Sequence, residues 1–511
     1  MSITRWTRLR EKDTALLLLL SLLVLLPAAW LRPPSRQQEL RVLISARNML
    51  VNRDWIRPEF QNQPRFRKPP LPYWMSAVSM GLSGQRQSAF VGRLPFVGAT
   101  LGLLFILQRL AGTQGALFAL FSYGVWRYGV AAETDMINLM GITLAVAAWQ
   151  RQQPGWSGLG MSLAVLSKGP SGVVIPLVLF VLPPFRRGHP ARHWAAAFVP
   201  PLCAAAAWTL FLWLDPMARE ALRQEIRDTF VDSPHRKFIL YYVWIAPLIL
   251  FPWSPAFLRR SVWLQSSVPA RVWFAVTFVL LTLTVSKQNH YALLFLPAGV
   301  WMLSAAGLRI PRPAWMLPAL VLLLAGGEVF RYLQHPPSRH MRFLREARKG
   351  LPAEIPLHVY GINSAVFDFH LGAHVLNTNH PLRAIHAARD SGGAAVLIFR
   401  RRENLPPLPE GFLDQSDAQW IRRVYRFSEN PAASTAASPH PGTRSAATER
   451  PNPRDLPVSR ALPCQTRWHP GGRAACPESV GHAFPLPQPA TAAESLAGCP
   501  RPGWCFRDQR A

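Results

Sequence analysis

Uncharged, strongly apolar runs recur along this chain and constrain its fold more than any other feature. The first run extends from Thr14 to Leu31, is dominated by leucine and is long enough to cross a bilayer as a helix. A cleaved signal peptide is the competing interpretation, but the residues after Trp30 offer no small-residue cleavage site. The run is therefore predicted to be a retained membrane anchor.

Further apolar runs predict that the chain crosses the membrane repeatedly. Together they indicate an α-helical polytopic membrane protein with about eleven transmembrane helices. The runs that follow the anchor are 88–108, 111–126, 136–150, 155–167, 170–185, 194–214, 239–258, 272–286, 291–308 and 314–333.

The positions of Lys and Arg in the short loops predict the orientation. If the spans alternate, one side of the membrane receives all the basic clusters of these loops, and that side is predicted to be cytoplasmic. The clusters contain Arg5, Arg8, Arg10, Lys12, Arg109, Arg151, Arg186, Arg187, Arg192, Arg259, Arg260, Arg309 and Arg312. The net charge of +29 is thus partly topological, and membrane lipids rather than nucleic acid are the expected partners. No nucleic-acid-binding motif occurs in the sequence.

Composition divides the chain into five regions. A long outer loop, 32–87, follows the N-terminal anchor at 1–31, and its segment Glu39–Val51 has the apolar spacing of an amphipathic helix lying along the interface. The transmembrane bundle occupies 88–334. Strand-like runs at 357–360, 394–399 and 424–427 alternate with helix-like runs in 335–428 and predict a small α/β domain on the periplasmic side. The tail at 429–511 is rich in Pro, Ala and Arg and is predicted to be disordered.

Lysine is rare in this chain, and three lysines lie in short patterned segments at predicted outer ends of spans. They are Lys68 in Lys-Pro-Pro, Lys168 in Lys-Gly-Pro, and Lys287 in Ser-Lys-Gln-Asn-His-Tyr. A lysine at a helix break, where backbone N–H groups are freed, suits a phosphate. Snorkelling at the membrane boundary is the alternative for each lysine alone, but three on one face favour binding.

Two carboxylates and one arginine lie on the same predicted side. Glu39 opens the amphipathic segment, and Asp135 begins a span. Either could act as a general base or bind a polar acceptor, although Asp135 also suits a helix cap. Arg93 lies just inside a span, where a charge usually has a partner. Asp135 or a ligand phosphate could be that partner.

The ordered set of loop motifs resembles the first periplasmic loop and the later loops of the bacterial aminoarabinose transferase and protein mannosyltransferase group. The segments that carry the resemblance, in chain order, are Glu39-x-Arg41, Ala46–Met49, Asp54-Trp55, Lys68–Trp74, Arg93–Pro95, Thr134-Asp135, Leu166–Pro170 and Ser286–Tyr291. These proteins are membrane glycosyltransferases of the GT-C type, which take a sugar from a polyprenyl-phosphate donor. The chain lacks a nucleotide-binding motif, which agrees with such a donor.

The resemblance implies roles for particular residues. Glu39 and Asp135 would lie at the catalytic centre, and a lipid or glycan would be the acceptor. The residues expected to bind phosphate are Lys68, Arg93, Lys168 and Lys287, and those expected to make other substrate contacts are Arg41, Tyr73, His290 and Tyr291. The expected location is the bacterial inner membrane, with the active site facing the periplasm.

Two departures from the group's pattern leave alternatives open. Where the group often has an Asp-Glu pair, this chain has Gln38 before Glu39, so a non-catalytic protein of the same fold stays an alternative. A transporter or flippase of lipid-linked substrates is a separate alternative, which predicts paired polar residues deep in the spans. Members with a metal near the Lys-Pro-Pro segment often carry Glu before the lysine, whereas this chain has Arg67. We therefore predict no metal ligands, although a divalent metal is left open as a cofactor.

Overall fold

The computed structural model describes residues 11–310 except 35, 62, 187 and 231–236, together with short stretches between 344 and 426. The predicted last span at 314–333 and the predicted disordered tail lie outside the described residues. Residues 1–436 group as one compact unit.

The described part of the bundle and first loop is almost entirely helical. Its helices are α1 (Glu11–Leu31), α2 (Gln37–Asn52), α3 (Leu71–Ser83), α4 (Ala89–Leu120), α5 (Tyr123–Tyr128), α6 (Thr134–Gln150), α7 (Pro154–Lys168), α8 (Ser171–Val181), α9 (Ala191–Leu214), α10 (Pro216–Phe230), α11 (Tyr241–Leu250), α12 (Arg260–Gln265), α13 (Val268–Leu283) and α14 (Leu296–Ala305). Short 3-10 helices occupy Ser254–Leu258 and Asn289–Phe295.

Among these helices, α1, α4 and α9 are long and apolar enough to cross a membrane, and α8, α11 and α13 are shorter apolar helices. Leucines on α1 such as Leu18, Leu19 and Leu23 are at least half exposed, as are Leu202 and Leu210 on α9. Large apolar side chains exposed along whole helices indicate contact with lipid. The chain is a multi-pass membrane protein.

A glycine interrupts α4. Gly112 has φ 74° and ψ 174°, which glycine adopts readily and which breaks the helix. The Oγ1 of Thr100, before the break, donates a hydrogen bond to the carbonyl of Gly129, well after it. The chain therefore turns back, and the break at Gly112 lies within the first residues of the predicted span 111–126.

Helices α6 and α7 form a closely packed hairpin. A Cβ built on Gly141 would lie 2.5 Å from the carbonyl oxygen of Gly160, and one on Gly160 would lie 2.6 Å from that of Gly141. Such contact needs small residues, which allow two helix backbones to approach in a membrane. Because the helices are antiparallel, the first turn of α6, with Asp135, lies beside the last turn of α7, with Lys168.

Helix α2 is the predicted amphipathic helix, but it does not lie on an exposed interface. Its residues Glu39, Leu40 and Val42 to Met49 are buried. It packs against α3 and, on another face, against α15 (Ser364–Leu371) of the C-terminal region. The apolar spacing predicted the helix, but not the layer that covers its polar face.

The C-terminal region contains a five-stranded mixed sheet and two helices, α15 and α16 (Pro381–Asp390). The strands are β3 (Leu357–Tyr360), β4 (Val375–Asn377), β5 (Ala394–Arg400), β6 (Leu413–Ser416) and β7 (Trp420–Arg426), in the order β4-β3-β5-β7-β6. Strand β3 is parallel to β4 and β5, and the other pairs are antiparallel. A short hairpin, β1 (Glu59–Phe60) and β2 (Gln63–Pro64), lies in the first loop.

A buried ion pair joins this region to the first loop. Arg47 on α2 donates hydrogen bonds to the Oδ1 and to the backbone carbonyl of Asp368 on α15, at 2.7 and 2.8 Å. Both side chains are almost fully excluded from solvent. A pair this buried holds one arrangement, because separation would leave two uncompensated charges.

Candidate active site

Glu39 and Arg93 form a buried two-pronged ion pair. The Nε of Arg93 lies 2.7 Å from Oε1 of Glu39, and its Nη2 lies 3.0 Å from Oε2. The remaining Arg93 nitrogen, Nη1, donates to the backbone carbonyls of Ala29 and Arg32. The partner of Arg93 is thus Glu39, whereas the sequence suggested Asp135 or a phosphate.

Glu39 has no surface exposed to solvent and accepts a further hydrogen bond from the backbone N–H of Ala132, at 3.1 Å. Burial acts to raise the pKa of this carboxyl, but the guanidinium of Arg93 and the Ala132 N–H outweigh it and lower the pKa. The ionised pair fixes α2 against α4 and against the segment that precedes α6. Glu39, predicted for catalysis, and Arg93, predicted for phosphate binding, therefore bind each other in this structure.

Asp135 lies in a second cluster with three other predicted site residues. The ammonium of Lys168 is hydrogen-bonded to Oδ1 of Asp135, and Nε2 of His290 lies 4.0 Å from the same oxygen. The Lys168 ammonium also lies 4.6 Å from the centre of the Tyr291 ring, which is a favourable cation–π distance. Residues from the α6–α7 hairpin and from the segment before α14 therefore meet at one point.

His290 in this cluster is held neutral. Burial lowers its pKa to about 4, the charge of Asp135 opposes this shift, and Lys168 and Lys68 add to it. The influence of Lys68 places the Lys-Pro-Pro segment close to the same cluster. A neutral imidazole can accept or donate a hydrogen bond to a hydroxyl of a ligand.

A cavity of about 480 Å³ adjoins this cluster and shares His290 with it. Its other lining residues are basic, aromatic, amide and aliphatic: Arg36, Arg127, Lys237, Lys287, Tyr123, Tyr128, Tyr241, Gln288, Asn289, Ile245, Leu248 and Ile249. No Asp or Glu lines it, so the field inside the cavity favours an anion. The ammonium of Lys287 donates to the backbone carbonyl of Thr284, which anchors it at the wall.

The cavity contains cations that the motif search missed. Arg36 donates toward the carbonyl of Arg127, and its guanidinium lies 4.6 Å from the centre of the Tyr128 ring. The sequence contains an indication that Arg36 and Arg127 are unusual. Both lie on the predicted outer side of the membrane, where the distribution of positive charge in membrane proteins leads us to expect few Lys or Arg.

Glu133 is a third buried carboxylate of the site, and the sequence analysis gave it no role. Its Oε1 lies 2.8 Å from Nη1 of Arg36, and its side chain is 5% exposed. Burial raises its pKa to about 7, against the charge of Arg36, and nearby Asp135 and Glu39 add to the increase. The sequence shows that Glu133 stands two residues before Asp135, but it does not show that Glu133 is buried.

Arg41 and Tyr73 lie apart from the cavity, because neither belongs to its lining. Tyr73 is 1% exposed and packs in the core with α2 and α3. Arg41 is half-buried, and burial lowers its pKa to about 10. The charges of Arg65 and Arg67, in the loop before α3, add to this decrease, and Tyr73 opposes it.

The residues near the Lys-Pro-Pro segment do not fit a divalent cation. Among the described residues, no three His, Cys, Asp or Glu side chains gather where they could hold a metal. At the positions discussed above the chain has Gln38 and Arg67, a neutral amide and a cation. Divalent metals of this class prefer carboxylate ligands, so no step is assigned to a metal.

Comparisons with known proteins agree with the loop motifs. No protein-family model matches the chain. The chain is 26% identical over 335 residues to an undecaprenyl phosphate-alpha-4-amino-4-deoxy-L-arabinose arabinosyl transferase of Pectobacterium carotovorum, covering 56% of this chain and 57% of the relative. It is 24% identical over 301 residues to an uncharacterized protein of Aquifex aeolicus, covering 56% and 71%. The match thus spans a little over half the length of the arabinosyl transferase.

The fold has a solved counterpart. The crystal structure of ArnT from Cupriavidus metallidurans bound to undecaprenyl phosphate superposes with a TM-score of 0.63 at 16% identity, covering 81% of this chain and 98% of that chain. The apo structure of the same protein gives the same TM-score. The resemblance inferred from the loop motifs is confirmed: the chain is similar in sequence to the arabinosyl transferases and has the fold of ArnT.

Proposed function

We propose that this chain is a membrane glycosyltransferase that moves a sugar from a polyprenyl-phosphate donor to a lipid or other acceptor. The observation that carries the proposal is the cationic cavity beside the Asp135–Lys168–His290 cluster. It places an anion-binding site next to a carboxylate. Transfer of a sugar from a lipid phosphate requires both groups.

The charges in the cavity suit the leaving group. In the transfer, the bond between the anomeric carbon and the phosphate oxygen breaks, and its electron pair stays on the phosphate. Lys287, Arg36 and Arg127 would stabilise that developing charge. The aliphatic wall formed by Ile245, Leu248 and Ile249 suits the first isoprene units of the donor.

Asp135 is the carboxylate that we assign to the acceptor. The acceptor oxygen forms the new bond to the anomeric carbon, and its proton passes to Asp135, which lies at the edge of the cavity through His290. Attack opposite the phosphate would invert the anomeric carbon. We assign Glu39 a positioning role instead, because it has no exposed surface and Arg93 holds both its oxygens.

The names of the relatives suggest finer assignments. They favour a pentosyl donor of the aminoarabinose type carried on undecaprenyl phosphate. Lipid A is the acceptor that we propose, and the distribution of Lys and Arg among the loops supports the bacterial inner membrane with the site facing the periplasm. These assignments are proposals, because the chain covers 57% of the first named transferase.

A lipid flippase is less well supported. It would need polar groups along a path through the membrane. In the part of the chain that the structure describes, Glu39, Asp135 and the charged residues that line the cavity lie at one end of the bundle. Arg109 and Arg151 lie near each other at the opposite end. Charges at one surface suit interfacial chemistry better than transit.

The test is donor binding and transfer by the purified full chain in nanodiscs. With undecaprenyl phosphate-linked aminoarabinose and a lipid A acceptor, we expect released undecaprenyl phosphate and a sugar-modified acceptor by mass spectrometry. Lys287→Gln should weaken donor binding about tenfold, the worth of one charge-assisted hydrogen bond. Arg223→Gln, on the exposed surface of α10, is the matched control.

Asp135→Asn separates catalysis from binding. It should lower kcat on the order of a hundredfold or more and leave donor affinity within about threefold, because only the acceptor step loses its base. Asp390→Asn at the exposed end of α16 is its control. Donor binding without transfer to any lipid, protein or glycan would identify a non-catalytic member of the fold and refute the proposal.

A further inference from the structure

The counterion of the buried carboxylate Glu133 is also a cation of the cavity. The Nη1 of Arg36 lies 2.8 Å from Oε1 of Glu133, and Arg36 lines the cavity, whereas Glu133 does not. The carboxylate of Glu39 instead pairs with Arg93, which is not part of the lining. Glu133 therefore lies behind Arg36 and shares the charge of Arg36 with any anion that the cavity binds.

The contact between Glu133 and Arg36 is looser than the pair of Glu39 and Arg93. Two aligned hydrogen bonds of 2.7 and 3.0 Å join Glu39 to Arg93. The Oε1 of Glu133 is excluded from solvent but makes no aligned hydrogen bond, although Arg36 is close to it. Ion pairs without aligned hydrogen bonds are the weaker ones. Charge rather than a fixed geometry thus joins Glu133 to Arg36.

Two further contacts hold Arg36 at the wall of the cavity. Its guanidinium lies 4.6 Å from the centre of the Tyr128 ring, and its Nη1 donates toward the carbonyl of Arg127 at 3.5 Å. Neither contact depends on the charge of Glu133. Protonation of Glu133 would therefore leave Arg36 in place and remove only the negative charge that neutralises it.

The surroundings of Glu133 allow its charge to change near neutral pH. Burial raises its pKa to about 7, and the charge of Arg36 opposes this increase. The other charged or titratable groups that interact with it, from α2, α5 and α6, are Glu39, Arg127, Tyr128 and Asp135. An anion in the cavity places a further negative charge in front of Arg36, and that charge favours the protonated carboxyl.

We propose that Glu133 is a positioning residue that sets the anion affinity of the cavity through Arg36, so that anion binding and protonation of Glu133 are coupled. Protonated Glu133 leaves the charge of Arg36 to the bound anion, whereas ionised Glu133 neutralises it. Glu133 takes a proton from solution when an anion enters, and the proton returns to solution when the anion leaves. The product phosphate carries more negative charge than the donor diester, so ionisation of Glu133 would promote release of the product. That last step rests on the proposed transferase function, whereas the coupling does not.

The test measures anion binding to the full chain in phosphatidylcholine nanodiscs. The probe is dodecyl methyl phosphate, a diester that keeps one negative charge throughout the experiment. Its Kd for the wild-type protein should rise about tenfold between about pH 6 and pH 9, because Glu133 ionises in this range. Calorimetry in buffers of different ionisation enthalpy should show proton uptake on binding. His290 is not the source of this uptake, since burial lowers its pKa to about 4.

Three variants assign the coupling to its residues. Glu133→Gln should bind the probe at every pH as tightly as the wild-type protein does at about pH 6, without proton uptake. Arg36→Gln should bind weakly at every pH and also lose the pH dependence. Glu220→Gln makes the same chemical change in an exposed ion pair, so its Kd and proton uptake should match the wild-type values.

The possible results separate this coupling from a purely structural role. A wild-type Kd that does not change with pH, or a pH dependence that survives Glu133→Gln, overturns the proposal. Weaker binding by Glu133→Gln at every pH also overturns it, because Glu133 would then only hold Arg36 in place. The wild-type titration decides the question if a variant does not fold. Coupled binding without sugar transfer refutes the proposed function alone, and transfer without coupled binding refutes this inference alone.

Discussion

At the scale of single residues, burial distinguishes the carboxylates of the site. Glu39 is ionised and closed off by Arg93, whereas Asp135 lies in a cluster that reaches the cavity through His290. Glu133 is buried beside Arg36 with a pKa raised to about 7. The three carboxylates lie close together, but they differ in protonation state and accessibility because each has different partners.

The pair of Glu39 and Arg93 predicts a stability effect. Glu39→Gln leaves the Arg93 charge buried and uncompensated, so the free energy of unfolding should fall by about 3–5 kcal/mol. Thermal unfolding in nanodiscs measures it. The control is Glu220→Gln, whose ion pair with Arg223 is exposed and should contribute less than about 1 kcal/mol. Normal stability with lost activity would instead support the catalytic role predicted from the sequence.

Glu133 predicts a pH dependence of stability. Its pKa is raised from 4.5 to about 7 in the folded protein. Between these values the unfolded carboxyl loses its proton and the folded one keeps it, so the free energy of unfolding falls as pH rises and levels off above pH 7. Glu133→Gln should remove on the order of 3 kcal/mol of this fall.

The measurement for Glu133 is the melting temperature of both proteins across this pH range. Other titrating groups are common to both, so they cancel in the difference between the two curves. A constant difference at all pH values would mean that Glu133 titrates normally and is ionised when folded.

At the scale of elements, the α6–α7 hairpin brings Asp135 and Lys168 together. Its glycines are visible in the sequence, but their role in close packing can be inferred only once the two helix backbones are known to be in contact.

The bounds of the C-terminal strands also depend on tertiary contacts. The predicted runs at 357–360 and 394–399 match β3 and β5, whereas β7 begins at Trp420, four residues before the predicted run, because it pairs with β5 along its full length.

The hairpin predicts that Gly160→Val separates the two helices. Its side chain would overlap the backbone of Gly141 and Ala145, so we expect a loss of stability of roughly 2–4 kcal/mol and a lower transfer rate. Thermal unfolding and transfer assays measure the two effects. Gly155→Ala is the control, since no atom lies within 4 Å of its added methyl group. Equal effects of the two substitutions would contradict the close helix contact.

At the scale of the whole molecule, the site depends on which side of the membrane each loop occupies. The predicted orientation places α2, the Lys-Pro-Pro segment and the C-terminal sheet in the periplasm, and the Arg151 turn in the cytoplasm. The structure agrees in one respect, since residues predicted on one side contact one another: Glu39 with Arg93, and Asp135 with Lys168.

Cysteine labelling tests this orientation. The five native cysteines are first replaced by serine, and single cysteines are then introduced at Ile56 and Gln153, both exposed positions. In intact cells whose outer membrane has been permeabilised, a membrane-impermeant maleimide should label Ile56→Cys and not Gln153→Cys. Both should react after lysis. The reverse pattern in whole cells would place the site in the cytoplasm.

The sequence by itself determined the membrane class, the approximate helices, the side bias of the basic residues and the resemblance carried by the loop motifs. Each depends on local composition or spacing, which a bilayer and a helical period translate directly into structure. It also selected Asp135, Lys168, His290 and Tyr291, which meet in space.

Only the tertiary structure decided what each charge does. The pairing of Glu39 with Arg93, the burial of Glu133 and the cavity formed with Arg36 and Arg127 all join segments distant along the chain. The ionisation and accessibility of a carboxylate depend on its desolvation and on the charges around it. Both are properties of the packed molecule, and no spacing of residues along the chain encodes them.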